Sequence, residues 1–169
     1  MGKDKKEKTT TGRGNATDLK PKIIREISAG GVVFKEEKGK ILWLVTKNVP
    51  NEYFKLAWRL PKGWINEGET TETTALREVR EEAGVEAKII KKIETISYIY
   101  NHPERGRVFK LVTFYLMGWL SNLADGFGEE TSEIAWLSYE EAVKKLSFSG
   151  EKQMLKRADN LLKKESKTL

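Results

Sequence analysis

Three carboxylates dominate the chemistry this chain can offer. Glu78, Glu81 and Glu82 stand at i, i+3 and i+4, a spacing that projects all three from one face of a helix. Like charges so placed repel by roughly 0.2–0.5 kcal/mol per pair. A hard divalent cation would turn that repulsion into ligation, because such ions take oxygen ligands. In most chains a charged run of this kind is only a solvated helix face. The frame around this one argues for more. Gly63 and Gly84 bracket the segment, Glu69 lies in the loop ahead of the helix, and Arg77 stands beside Glu78. Leu76, Val79 and Ala83 form an apolar stripe on the opposite side.

The elements that must hold these groups can be read along the chain. Residues 23–35, with Gly30-Gly31 permitting close approach of another backbone, predict a strand, and 41–47 a second after a charged turn. A short strand over 58–60 stops at Pro61, and Lys62-Gly63 opens the loop before the helix. The helix is expected over 71–83 with Gly84 as its stop, and Glu69 and Glu72 suit its positive end. Two long strands, 87–100 and 107–120, flank a loop containing Pro103 and Gly106. A polar loop over 121–132 leads to a strand at 134–137. Ser138 with Glu141 predicts a capped helix over 139–146. A stripe of Met154, Leu155, Ala158, Leu161 and Leu162 predicts another over 151–164. Strands interleaved with helices imply an α/β protein with a mixed sheet covered on both faces.

Composition narrows the class. With 169 residues the chain suits one domain with a substantial core. There is no cysteine, which excludes disulfides, a thiolate nucleophile and a cysteine zinc site. No apolar run is long enough for a membrane span or a secretory signal, so a cytoplasmic protein without a membrane partner is expected. The net charge of +6 resides at the ends: residues 1–22 carry +4 and 151–169 carry +3, leaving −1 for 23–150. We therefore expect a disordered basic tail over 1–22, a central domain over 23–150, and a helix with a basic tail over 151–169. The tail reads first as solubilising and second as a weak contact for nucleic acid. Oligomeric state is not legible.

The segment from Gly63 to Val85 resembles the signature of the Nudix hydrolases, Gly-x5-Glu-x7-Arg-Glu-apolar-x-Glu-Glu-x-Gly-apolar, at every specified position. The similarity extends over residues 24–148, through Ala29-Gly30-Gly31-Val32, Leu60-Pro61-Lys62-Gly63 and Trp136-Leu137 before Glu140-Glu141-Ala142. It implies an α/β/α sandwich and hydrolysis of a diphosphate linkage in a nucleoside diphosphate joined to a further group. It also implies Mg2+ or Mn2+ held by Glu78, Glu81, Glu82 and the backbone carbonyl of Lys62. Arg77 and Glu69 are then a supporting pair, Gly63 gives room beside the metals, and Gly84 is a helix cap. The general base is Glu78 or a glutamate of the 128–133 loop, with Glu130 preferred and Glu129 and Glu133 open; the other reading of that loop is a solvated acidic turn. His102, the single histidine, reads as a surface loop residue, with a phosphate contact as the alternative.

Substrate choice rests on other positions. The segments around Trp58, Tyr98 to Tyr100 and Arg107 to Met117 look most like the dinucleoside polyphosphate hydrolases. By that likeness Tyr98 or Tyr100 stacks on a base, and Lys62, Arg107 or Lys110 meets phosphates. The tyrosines could equally be core residues. Relatives that read RNA 5′ ends tend to carry glutamine in place of Lys62, and those that cleanse oxidised nucleotides tend to carry glycine. Three readings follow: an asymmetric diadenosine tetraphosphate hydrolase; a pyrophosphatase of nucleoside triphosphates, nucleotide sugars or RNA 5′ ends; or a non-catalytic nucleotide-sensing or protein-binding domain. The intact carboxylates disfavour the last.

Overall fold

The continuous apolar runs of the central strands dictate a sheet buried on both sides, and a computed structural model, which describes residues 22–167, has this arrangement. All but the last residue of the basic tail expected over 1–22 lie outside the described residues. The strands are β1 (Ile24–Glu37), β2 (Lys40–Asn48), β3 (Trp58–Arg59), β4 (Lys62–Trp64), β5 (Val85–His102), β6 (Gly106–Asn122) and β7 (Thr131–Leu137). The helices are α1 (Thr71–Ala83), α2 (Tyr139–Lys145) and α3 (Ser149–Lys167). The sheet runs β3-β2-β1-β6-β5, with β4 added on β1 and β7 on β2. β1 and β6 are parallel, from Ile24 opposite Val108 to Phe34 opposite Gly118. The other pairings are antiparallel, so the sheet is mixed.

Neighbouring residues on one strand serve opposite cores, as a period of two requires. Val32, Trp43, Val45, Phe114 and Leu116 pack with Ala142, Leu146, Met154, Leu155 and Ala158 of the α2 and α3 side. Val33, Leu44, Tyr115 and Met117 pack with Ala75, Val79 and Ala83 of α1. This is the expected α/β/α sandwich. Because α3 supplies three fully buried residues, the core continues well past residue 150.

Local signals explain most boundaries. Thr70 caps α1, and its side chain accepts a hydrogen bond from the Thr73 N–H. Ser138 and Glu141 form the expected reciprocal cap on α2. Two differences are informative. β4 was expected to be loop, since Pro61 and Gly63 both disfavour strand. It pairs because Gly30 of β1 lacks a Cβ, which would overlap the Pro61 carbonyl, and that carbonyl accepts the Gly31 N–H at 3.1 Å. The second difference corrects the reading of His102. Pairing of β5 with β6 persists to His102 opposite Gly106. The imidazole is buried, its Nδ1 accepts the N–H groups of Glu104 and Arg105 at 3.2 and 3.3 Å, and its ring lies 4.9 Å from that of Tyr53. It staples a turn and is not a surface loop residue.

The burial of α3 carries a measurable consequence. Leu155→Ala should lower the unfolding free energy by roughly 2–5 kcal/mol, the usual cost of emptying a core leucine site. Urea titration of both proteins tests this, and an unchanged midpoint would show α3 to be dispensable to the core.

Candidate active site

Helix α1 carries two kinds of surface on one turn. Its apolar stripe binds the sheet, while Glu78, although acidic, is also buried at 8% exposure. Gly63 makes that burial feasible. A Cβ at position 63 would overlap both carboxylate oxygens of Glu78, so the absence of a side chain is what admits the acid. The site therefore begins with a carboxylate lying directly against the β4 backbone.

Arg77 secures this arrangement from the other side. Its Nε and Nη2 donate to the two oxygens of Glu69 at 2.7 and 3.0 Å, forming a fork. Its Nη1 donates to Glu78 at 2.6 Å and to Glu81 at 3.0 Å, and Nη2 also reaches the Trp64 carbonyl at 2.8 Å. Glu69 further accepts from Thr74 Oγ1 and the Asn66 N–H. The expected pairing of Arg77 with Glu69 is thus present, and Arg77 also ties Glu78 and Glu81, two of the three α1 glutamates of the signature. The guanidinium holds the Glu69 carboxyl down at about 2.

Desolvation acts the other way on Glu78 and Glu82. Burial raises Glu78, and Arg77 only partly opposes it, while the negative charges of Glu81 and Glu130 add to the rise. Glu82 is pushed up to about 7, chiefly by desolvation, with the Lys62 charge and backbone N–H opposing. That N–H donates to Glu82 Oε2 at 2.8 Å. Among the described residues no three acidic side chains converge into a closed cation site. The reason is visible: Arg77 separates Glu78 from Glu81, and Glu82 turns towards Lys62. The donor chemistry nevertheless fits a divalent ion. Hard oxygen ligands share one helix face, burial raises the pKa of two of them, and Gly63 leaves a cradle that any side chain would fill.

Glu130 reaches the site by a different route. The C-terminal carbonyls of a helix lack intrahelical partners, and here the Glu81 carbonyl accepts the Gly128 N–H at 2.7 Å and the Gly84 carbonyl the Leu123 N–H at 2.8 Å. Gly84 caps α1 with φ 66°, and a Cβ there would also collide with the backbone at Gly126. The loop is stitched to α1, and the Glu130 carbonyl accepts the Val49 N–H at 2.8 Å. Glu129 and Glu130 both line the cleft with Glu78 and Glu82. Glu133 does not, because it pairs with Lys47 at 3.2 Å on the strand register.

That cleft encloses about 1370 Å3 and extends from the acids to Tyr98, Tyr100 and Lys110. The two tyrosines share one face of β5, their ring centroids 6.3 Å apart, and both line the cleft. The Tyr100 hydroxyl donates to Glu26 at 3.0 Å, and Lys110 pairs with the same carboxylate at 3.6 Å. Arg107 is not among the lining residues: three positions from Lys110 along an unbroken part of β6, it falls on the opposite face. Lys62 lines the cleft, and its ammonium is held by Glu151 at 2.6 Å.

Sequence reasoning missed Arg59, Phe148 and Glu151, which line the cleft, and Glu26, which pairs with the lining residues Tyr100 and Lys110. For Glu151 a signal existed. It stands three, four and seven residues before Met154, Leu155 and Ala158, so a carboxylate sits on the buried stripe of α3 at 4% exposure. Its other oxygen accepts the Leu60 N–H at 2.8 Å, which fixes the approach to β4.

Comparison with known proteins adds to this geometry. The family model described as NUDIX domain matches residues 25–158. A Mycobacterium tuberculosis protein bearing the name mutator protein MutT4 is 32% identical over 164 residues, which cover 95% of this chain and 64% of the relative. The chain thus spans just under two thirds of that relative's length. The asymmetrical bis(5'-nucleosyl)-tetraphosphatase of Mus musculus is 33% identical over 110 residues, 62% of this chain and 71% of the relative. Among solved structures, a binary complex of Ap4A hydrolase from C. elegans aligns with a TM-score of 0.65 and 25% identity over 81% of this chain and 97% of that one. No helix among the described residues is long and apolar enough to cross a membrane.

The depressed Glu69 carboxyl sets a pH dependence. Its stabilising effect is complete above the ordinary value near 4.5 and is lost as pH falls through about 2. Thermal melts of the protein and Glu69→Gln should differ at pH 6, and the difference should shrink to nothing as pH approaches 2. Parallel melting curves across that range would contradict the pairing.

Proposed function

The chain belongs to the Nudix family, and from that premise we propose that it hydrolyses a diphosphate linkage in nucleoside diphosphates joined to a further group, preferring asymmetric cleavage of dinucleoside tetraphosphates. The observation that carries this reading is the continuity of one cleft: desolvated carboxylates at one end, two tyrosines at the other, cationic side chains between. Its volume of about 1370 Å3 exceeds the roughly 300–1,000 Å3 of an ordinary small-molecule pocket. An elongated, two-base, polyanionic substrate suits that length better than a mononucleotide.

A divalent ion held by Glu78, Glu81, Glu82 and the Lys62 carbonyl would neutralise phosphate charge and acidify a water. The chain's own residues supply the rest. Arg77 aims Glu78 and Glu81 by donating to both, and the Lys62 N–H fixes the Glu82 carboxylate. Glu130 enters from a loop tethered to α1 and to Val49, and its carboxylate accepts the proton of the attacking water. Water adds to phosphorus as the bridging oxygen departs, leaving a nucleoside monophosphate and a nucleoside triphosphate. Tyr98 and Tyr100 offer faces for a base, with Lys62 and Lys110 beside the phosphate chain. Arg107, on the other face of the sheet, has no part in it.

Two experiments test this. Glu81→Gln and Glu82→Gln should each reduce Mg2+-dependent hydrolysis by at least about 100-fold and abolish the rise in melting temperature that Mg2+ gives the unaltered protein. Glu130→Gln should lower kcat by about 100-fold or more while leaving the Mg2+ effect on melting in place. Substrate preference is tested with diadenosine tetraphosphate, nucleoside triphosphates, ADP-ribose and triphosphorylated RNA, with products identified. The dinucleotide should give AMP and ATP at the highest kcat/KM. Faster turnover of ADP-ribose or RNA would move the chain to another branch of the family.

A further inference from the structure

Four cationic side chains line the cleft: Arg59, Lys62, Lys110 and Arg157. Three are already matched by a carboxylate. Lys62 pairs with Glu151 at 2.6 Å, Lys110 with Glu26 at 3.6 Å, and Arg157 with Glu94. Among the described residues no carboxylate pairs with Arg59. Its guanidinium lies over the ring of Phe148, 5.3 Å from the centroid. Stacking of this kind engages the planar face and leaves the N–H donors, which point outward in the plane, available for an anion. The Nε is buried and makes no hydrogen bond, a state that costs free energy until an acceptor arrives.

The position is also fixed. The Arg59 carbonyl accepts the Thr46 hydroxyl at 3.2 Å, and β3 is registered on β2 with Thr46 opposite Arg59. Arg59 lines the same cleft as Glu82 and Tyr98, and its charge lowers the pKa of both. We propose that Arg59, braced on Phe148, is the principal phosphate-chain ligand of the cleft and biases the protein towards substrates with more phosphates than a simple diphosphate. This rests on the diphosphate hydrolase reading for its substrate, but the anion site itself does not require it.

The ligand chemistry follows from the fork. A planar guanidinium presents two parallel donors that match two phosphate oxygens, which a lysine cannot do. Lys62 and Lys110 are less available, since an incoming phosphate must compete with Glu151 and Glu26 for them. The uncompensated cation is therefore the one that discriminates by substrate charge.

Calorimetric titration of the full chain with inorganic tripolyphosphate, without added metal, reads this site independently of catalysis. Arg59→Ala should weaken binding on the order of 10- to 100-fold, as expected for a charged hydrogen-bonded pair. With diadenosine tetraphosphate and Mg2+ it should raise KM by a similar factor while kcat changes less than about threefold. Arg59→Lys, which keeps the charge but not the fork, should recover only part of the affinity, with melting temperatures of both variants confirming their fold. Failure of the unaltered protein to bind tripolyphosphate, or binding by Arg59→Ala within about twofold, would overturn the assignment. Full affinity in Arg59→Lys would remove the guanidinium-specific claim. Arg59-dependent tripolyphosphate binding in a protein that does not cleave the dinucleotide would support this site while refuting the proposed substrate.

Discussion

One guanidinium holds the acidic centre together. Arg77 donates to Glu69, Glu78, Glu81 and the Trp64 carbonyl, so a single side chain joins the loop before α1, two turns of the helix and strand β4. Without it, Glu78 would be a buried carboxylate with only like charges near, a state that folded proteins avoid by neutralising the group. With it, the acid is held in a partly dry environment against a compensating cation. The fixed spacing of the segment is the covalent expression of that geometry: Glu69 must lie one loop before the helix, and Gly63 must leave the space that Glu78 fills.

Helix α1 organises the site at its other end by a different mechanism. Its terminal carbonyls need partners, and the loop from Asn122 to Glu130 provides them. Gly84 permits this twice over, through its left-handed conformation and through the close passage of the Gly126 backbone. Capping the helix and delivering Glu129 and Glu130 to the cleft are therefore the same event. An acidic loop that would otherwise be solvated acquires a defined relation to Glu78.

The cleft's far wall is assembled from ion pairs instead. Lys62 with Glu151 and Lys110 with Glu26 bury charges whose desolvation is costly and whose attraction offsets that cost only in good geometry. Such pairs contribute little net stability, yet losing one partner typically costs about 3–5 kcal/mol. Their effect here is to fix the approach to β4 from α3 and the tyrosine face of β5 from β1. Arg59, stacked on Phe148 and unmatched, stands out against this background of neutralised charge.

How much of this was legible depends on the range of the interaction. The helix bearing Glu78, Glu81 and Glu82, its glycine cap, the Ser138 cap on α2 and the layered fold follow from periodicity and short motifs, because each depends on residues within a few positions of one another. The Arg77–Glu69 pair was legible through the family resemblance, whose signature spans both residues. Strand β4 was not, since only a glycine on β1, some thirty residues away in sequence, makes room for it. His102 was misread because its burial depends on Tyr53 and on a hairpin that pairs further than its sequence suggests. Arg107 and Lys110 looked equivalent as basic residues of one strand; the pleat sends them to opposite faces. Glu26, Arg59, Phe148 and Glu151 join the site only through the packing of β1, β3 and α3. The sequence by itself determined the chemistry of the helix, because that chemistry is local. Which side chains face it across the cleft was decided by tertiary structure alone, because strand pairing and helix docking bring together residues that the chain keeps far apart.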